Sequence, residues 1–296
     1  MDGPQDGTRG VAVTAREFGL KGPRGWAFRG VGIEAGPGSL IAVEGASGSG
    51  RTCLLLALTG RMRPTEGEAS VGDFRLPKQL AAVRRISALG PVPGVTDLDP
   101  ALTVAEHLHE RALLQRRFGG SLRGLLRPRA ERTTETRLRI DTALRDAGLD
   151  LESLPKGRRT SVRDLERLEV LRLSIALALI GRPRLLGVDD VDLKLSDAER
   201  DEAWALLRSL AQSGITVVAV CNEAPQDAVA VSTDRDSNQS DTSNTSGTSE
   251  DPDGANSADS PDSPDSPDSP DSPDSPDAPG NDDKETADAL AEARRA

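Results

Sequence analysis

A chain of 296 residues is long enough for one large domain with a real core or for two small ones. Its net charge of −11 is unevenly spread: residues 231–296 hold 18 acids and 4 bases, so residues 1–230 are near neutral at +3 and the low pI belongs to the tail. No apolar run approaches the roughly 20 residues that span a bilayer, because the longest candidate, Leu168 to Val188, is broken by Arg172, Arg182, Pro183 and Arg184.

The polar, Gly-rich start from Met1 to Gly10 reads as a disordered lead with no signal peptide. A globular region runs from Val11 to Val231. Short strands are predicted at Val11–Val13 and Gly30–Glu34, followed by a turn at Gly36-Pro37-Gly38. Ser39–Glu44 is an apolar strand, Arg51–Gly60 a helix, and Ala69–Phe74 a strand of a small β-region. A helix at Thr103–Leu114 opens on a capping box of Thr103 and Glu106. Further helices are predicted at Ala130–Ala147 and Val162–Ile180. Leu185–Val188 is a buried strand ending in acids. Ser196 and Glu199 form a second capping box for a helix over Ser196–Ser213, and Ile215–Val220 is a β-branched strand. Strands alternating with helices imply an α/β fold with a largely parallel sheet, whose ligands sit at the carboxyl ends of strands. The strandless run from 103 to 180 reads as a helical insertion, with a helical subdomain over about 103–165.

Residues 232–296 are mostly Ser, Asp, Thr, Asn, Gly and Pro, with six consecutive Ser-Pro-Asp triplets from Ser260 to Asp277. Such a segment buries too little apolar surface to offset chain entropy and favours extended chain. It reads as a solubilising tract, with an entropic bristle or a kinase target as alternatives. Glu285–Ala296 suits a short, marginal helix. Arginines gather between Arg111 and Arg139 without interleaved aromatics, which suits a solvated helical face better than a nucleic-acid surface. Cys53 and Cys221 lie far apart and outside any CxxC or His-pair pattern; they read as small buried residues in a reducing cytosol.

Two stretches carry chemistry. Gly45-Ala46-Ser47-Gly48-Ser49-Gly50-Arg51-Thr52 fits the P-loop pattern G-x-x-x-x-G-K-[ST] at every position but the lysine. Its glycines allow successive N–H groups to face phosphate oxygens, the following helix adds its positive end, and Thr52 offers a hydroxyl to Mg²⁺. Cys53 extends the phosphate-binding backbone by one residue. Arg51 keeps the charge of the missing lysine but is longer, planar and forked, which predicts weakened binding. The second stretch, Leu185-Leu186-Gly187-Val188-Asp189-Asp190, ends an apolar strand in two acids. Asp189 is placed to hold the metal and Asp190 to accept a proton from attacking water. His107 and His109 stand at i and i+2 on different faces of a helix and read as surface or packing residues.

From Val11 to Val231 the order of segments resembles the nucleotide-binding subunit of an ABC (ATP-binding cassette) transporter. Val31–Glu44 with its Pro37-Gly38 turn matches the approach to that family's Walker A loop. Pro100–Leu108 resembles the stretch opening the helical subdomain, Ala176–Leu186 the run into Walker B, and Gly214–Val218 with Asn222-Glu223 the switch strand. The resemblance implies a P-loop NTPase, ABC-type cassette: a mostly parallel core sheet, a small antiparallel β-region and a helical subdomain. It implies ATP and Mg²⁺ as ligands, a separate membrane permease and a second cassette, in a homodimer or heterodimer, as partners, and a cytoplasmic place at the inner face of the cell membrane. It implies no nucleic acid and no transmembrane segment of its own.

The same resemblance marks departures. The Q-loop glutamine falls near Gly94. The signature motif falls on Leu165-Glu166-Arg167-Leu168-Glu169, of which only the leucine is kept. The catalytic glutamate falls on Asp190, one methylene shorter, and the switch histidine on Asn222, which carries no proton at neutral pH. Phe18 and Trp26 stand near, but off, the adenine-stacking position, and the family's last strands are missing beyond Val231. These losses bear on hydrolysis more than on fold. The expectation is an ATP-binding transporter subunit with weak or lost hydrolysis; the alternative is a hydrolysis-deficient pseudo-ATPase serving as a regulatory or structural partner. A soluble P-loop kinase fits less well, because of the long helical stretch between loop and acids.

Overall fold

The computed structural model describes residues 10–118 and 129–233. The expected lead at residues 1–9, the centre of the arginine-rich stretch, the Ser-Pro-Asp tract and the helix at Glu285–Ala296 lie outside the described residues.

In chain order the elements are β1 (Val13–Gly22), β2 (Gly25–Ala35), β3 (Leu40–Glu44), α1 (Arg51–Leu58), β4 (Glu66–Val71), β5 (Phe74–Leu76), α2 (Leu80–Ile86) and β6 (Ser87–Leu89). There follow α3 (Val104–Phe118), α4 (Arg129–Asp146), α5 (Arg167–Leu179), β7 (Leu185–Val188), α6 (Asp197–Gln212), β8 (Thr216–Val220) and β9 (Val229–Ser232). Two sheets form. One is antiparallel, in the order β2-β1-β4-β5; the other is parallel, in the order β6-β7-β8-β3-β9.

The inner strands β7, β8 and β3 of the parallel sheet are buried on both faces, so they read as nearly continuous apolar runs, whereas the edge strand β9 exposes Ala230. Period-two alternation divides them between two cores. Ile41 and Val43 of β3 and Val218 and Val220 of β8 pack with Leu54, Leu55 and Leu58 of α1 and the antiparallel sheet. Leu40, Ala42, Val217 and Ala219 face the other side, against Leu173 and Ile175 of α5 and Leu207 of α6. At Gly187 of β7 a side chain would press on Leu89 and Leu55 at about 3 Å, so only glycine lets α1 lie this close to the sheet.

Several expectations change. The strands expected at Val11–Val13 and Gly30–Glu34 are the ends of a long hairpin, β1–β2. Its register shifts between Ala15 and Phe18, where Glu17 takes φ 48°, and this hides the alternation in the sequence. The single strand expected at Ala69–Phe74 is the β4–β5 hairpin. The short elements α2 and β6 were not expected at all. The helix expected at Val162–Ile180 begins at Arg167, because Leu165 and Glu166 are extended, at ψ 145° and 164°, after a 3₁₀ turn at Val162–Asp164. Strand pairing also continues past Val231: β9 runs to Ser232, parallel to β3.

Both expected capping boxes are present. Thr103 and Glu106 exchange bonds at 2.7 and 3.3 Å at the start of α3. Ser196 and Glu199 do so at 2.8 and 3.3 Å at the start of α6.

Candidate functional site

β3 and α1 are joined by Gly45–Gly50, at the carboxyl end of the central strands. Gly45, Gly48 and Gly50 take φ of 145°, 83° and 90°, which side-chain-bearing residues rarely adopt. At Gly50 a Cβ would also overlap the carbonyl of Ala27, so the loop rests directly on the backbone of β2. Ala46, Ser47 and Gly48 are exposed. Gly50 caps α1 with no side-chain bond to the first turn, and that turn holds no acid. The orphan N–H groups and the positive end of α1 are thus left for an external anion.

Thr52 and Asp189 meet. The Thr52 hydroxyl donates to Asp189 Oδ2 at 2.8 Å, joining α1 to the end of β7. Asp189 is 3 % exposed. Burial raises its pKa; the Thr52 bond opposes that rise and the neighbouring Asp190 charge adds to it. The Asp190 N–H donates to Asp189 Oδ1 at 3.2 Å, and Asp190 itself has φ 46°, a left-handed backbone that aspartate tolerates better than most residues. Cys53 is half-buried, its thiol pKa raised by burial and then by Asp189.

Arg51 does not extend along the loop. Its Nη1 donates to the carbonyl of Cys221 at 2.6 Å and to Asn222 Oδ1 at 3.2 Å, just past the end of β8. Asn222 is held in turn through its N–H, which donates to Asp192 Oδ2 at 2.9 Å. Val191 N–H donates to the Val220 carbonyl at 3.0 Å, so the segment after the acids is stitched to the end of β8. Asp192 was not foreseen as part of this arrangement; its only signal was its place two residues after Asp190. Nor was Thr233, whose hydroxyl lies 2.5 Å from that of Ser49 and secures the loop from β9.

The remaining positions divide. Gly94 sits in a turn with φ 75°, its N–H donating to Asp97 Oδ2 at 2.8 Å. Glu166 is the N-cap of α5, and its N–H is taken by the Glu169 carboxylate at 2.8 Å in a capping box. The helix start is therefore closed by two acids of its own, which repel a second anion. Phe18 is fully buried against Phe28, at 5.7 Å between ring centroids, and is a core residue. The Trp26 ring carries the Arg29 guanidinium at 4.7 Å and the Lys21 ammonium at 5.5 Å. His107 is buried, with Nε2 3.2 Å from the Asp99 carbonyl, whereas His109 is exposed.

These donors fit a nucleotide polyphosphate. The loop brings no negative side chain, and the first turn of α1 has no side-chain cap and no acid. Thr52 and Asp189 give one neutral and one anionic oxygen in contact, a set suited to Mg²⁺, which keeps water and phosphate for its other positions. No cluster of three or more His, Cys, Asp or Glu among the described residues offers a dedicated metal cage.

Comparison with known proteins agrees with this arrangement. The ABC transporter family model matches residues 28–192. The ATP-binding cassette sub-family A member 7 of Rattus norvegicus is 29% identical over 198 residues, which are 67% of this chain and 8% of that protein. The ribose import ATP-binding protein RbsA 1 of Rubrobacter xylanophilus is 32% identical over 196 residues, 66% of this chain and 36% of that one. The chain thus spans well under half the length of these relatives. Among solved structures, the ATP-binding cassette MJ0796, a dimer bound to ADP and Pi, aligns with TM-score 0.55 at 23% identity, covering 71% of this chain and 88% of that one. The cbiO1 protein of Clostridium perfringens, part of the cbiONQ transporter complex, aligns with TM-score 0.56 at 18% identity, covering 73% and 80%. These likenesses establish the cassette fold.

Proposed function

The chain belongs to the ABC transporter family, and from that premise we propose that it is the ATP-binding subunit of an ABC transporter. The observation that carries this reading is the Thr52–Asp189 contact beneath a glycine loop whose helix start has no cap of its own. Among the described residues no helix is long and apolar enough to cross a membrane. In this reading a membrane permease supplies the transport path and holds the chain at the cytoplasmic face.

In this reading the backbone N–H groups of Gly45–Cys53 bind the phosphates, and the Arg51 charge balances them. Thr52 and Asp189 would hold Mg²⁺, which would neutralise charge on the terminal phosphates. Asp190 orients the attacking water and takes its proton. Its carboxylate reaches one methylene less far than glutamate, which slows this step without removing the base. Asn222 offers an amide where a protonatable ring would stand, so it can orient a phosphate oxygen or the water but not move a proton. Gly94 has no side chain with which to report on either.

A second reading, in which the fold is kept without turnover, takes its motive from one feature. The start of α5, which in the family faces the partner's nucleotide, is closed by Glu166 and Glu169. A self-paired dimer would then lack half of each composite site. A heterodimer with an intact cassette would keep one.

Purifying the chain with its permease, in membranes, tests the reading. The expected result is ATP-dependent transport that Asp189→Ala abolishes. A stable complex whose transport ignores both ATP and this substitution would remove the role.

A further inference from the structure

Two departures that stand far apart in the sequence are in contact in the fold. Arg51 replaces a lysine, Asn222 replaces a histidine, and Arg51 Nη1 joins them through Asn222 Oδ1 at 3.2 Å and the Cys221 carbonyl at 2.6 Å. Both bonds use the same nitrogen. Within the described residues, Nε and Nη2 make no bond and no carboxylate pairs with the guanidinium. Nε and Nη2 form one edge of the planar fork, the edge that takes two oxygens of a carboxylate or phosphate side by side. The anchor itself is firm. The Asn222 backbone N–H is held by Asp192 at 2.9 Å, and the Cys221 N–H by the Val43 carbonyl at 3.0 Å.

We propose that Arg51 is a bridge: Nη1 anchors it to the end of β8, and its Nε–Nη2 edge receives a phosphate group of the bound nucleotide. This rests on the nucleotide-binding reading above and assigns the two substitutions to one device. Lysine has a single ammonium on a flexible stem. Its three donors all leave from one nitrogen, so it lacks a second nitrogen edge to offer a phosphate while the first stays on the β8 end. A histidine at 222 would place a ring where the amide oxygen now accepts the guanidinium. Arg51 and Asn222 therefore work as a pair, and each is poorly served by the family's usual partner. The anchored guanidinium is oriented before phosphate arrives, which saves the rotamer entropy of ordering a long side chain on binding. It also ties phosphate occupancy directly to the position of the switch residue.

The consequence runs against the family pattern: restoring the lysine weakens binding. The test is calorimetry on the full chain with Mg²⁺ and a non-hydrolysable ATP analogue. It compares the unaltered protein with Arg51→Lys, Asn222→Ala and the double variant, with the melting temperature of each recorded. The expected result is that each single substitution lowers affinity by about three- to tenfold, the loss of one charged hydrogen bond or its orientation. The double variant falls no further than the weaker single one. Because the Arg51–Asn222 bond is already present in the ligand-free fold, the melting temperatures couple too; the bridge is read from the affinity, which Asn222→Ala lowers in the unaltered chain and leaves unchanged in the Arg51→Lys background, in variants that stay folded at the titration temperature. Arg51→Lys binding as tightly as the unaltered chain or tighter, or two losses that simply multiply, overturns the bridge while leaving nucleotide binding intact. No binding by any of the four, with all melting cooperatively, removes the nucleotide reading and the bridge with it.

Discussion

Thr52 and Asp189, 137 residues apart, meet through a hydroxyl–carboxylate bond of 2.8 Å. The contact joins the first turn of α1 to the residue that follows β7, and it brings together two protein oxygens suited to a phosphate-bound Mg²⁺. Burial at this place raises the Asp189 pKa, and the Thr52 bond offsets part of that rise.

That rise has a stability consequence with a definite sign. A carboxyl whose folded pKa exceeds its unfolded value stabilises the fold below the unfolded pKa, and the benefit is lost as pH rises through the folded one. At neutral pH the charged Asp189 therefore destabilises the ligand-free fold. Asp189→Asn removes the charge and keeps an acceptor for the 2.8 Å Thr52 bond, giving up only the longer 3.2 Å bond from the Asp190 N–H. Differential scanning calorimetry should show a higher melting temperature for the variant at pH 7. The difference shrinks toward pH 4. Equal melting temperatures at pH 7, or a lower one for the variant, contradict the assignment.

Asp190 is assigned to water and not to binding. Asp190→Asn should leave the affinity for a non-hydrolysable ATP analogue within about twofold. Any steady-state turnover, measured with the transport complex, falls by at least about tenfold, the usual weight of a general base. Turnover that survives this substitution would mean that another group activates the water.

The capped start of α5 has two readouts. Glu169→Ala removes the 2.8 Å bond to the Glu166 N–H and should cost about 1 kcal/mol in urea unfolding. Light scattering with Mg²⁺ and ATP should show no compact self-dimer, because each start of α5 brings Glu166 and Glu169 toward a triphosphate. A tight ATP-dependent homodimer of the unaltered chain would show that the acids move aside.

The two cysteines should behave differently. The Cys221 thiol is fully buried and its pKa is pushed up to about 12, chiefly by burial, with Asp192 and Glu44 adding to it. Thiol alkylation at pH 8, followed by mass spectrometry, should label Cys221 only on unfolding. Cys53 should react slowly in the native protein, and more slowly once nucleotide fills the adjoining loop. Fast native labelling of Cys221 would show that the end of β8 opens, and the anchor of Arg51 with it.

The sequence carried the parts of the site that are local. Glycines before Thr52, acids after an apolar strand, and Thr103 and Ser196 each three residues ahead of a glutamate are short-range patterns, and the structure has each where the spacing put it. The long β1–β2 hairpin stayed hidden because its register shifts break the alternation, and α2 and β6 because they are too short to show a period. Position 51 shows the sharper limit. That arginine stood for lysine was plain, but its destination depends on where β8 ends, 170 residues later. Neither the Cys221 carbonyl nor Thr233 has any signature in the sequence near the loop.

Isothermal titration with a non-hydrolysable ATP analogue, with and without Mg²⁺, on the unaltered chain and on Thr52→Ala and Asp189→Ala, tests the nucleotide site most directly. Saturable, Mg²⁺-enhanced binding should appear in the unaltered chain and lose that enhancement in both variants. An unaltered, cooperatively folded chain that takes up no analogue at millimolar concentration would contradict it.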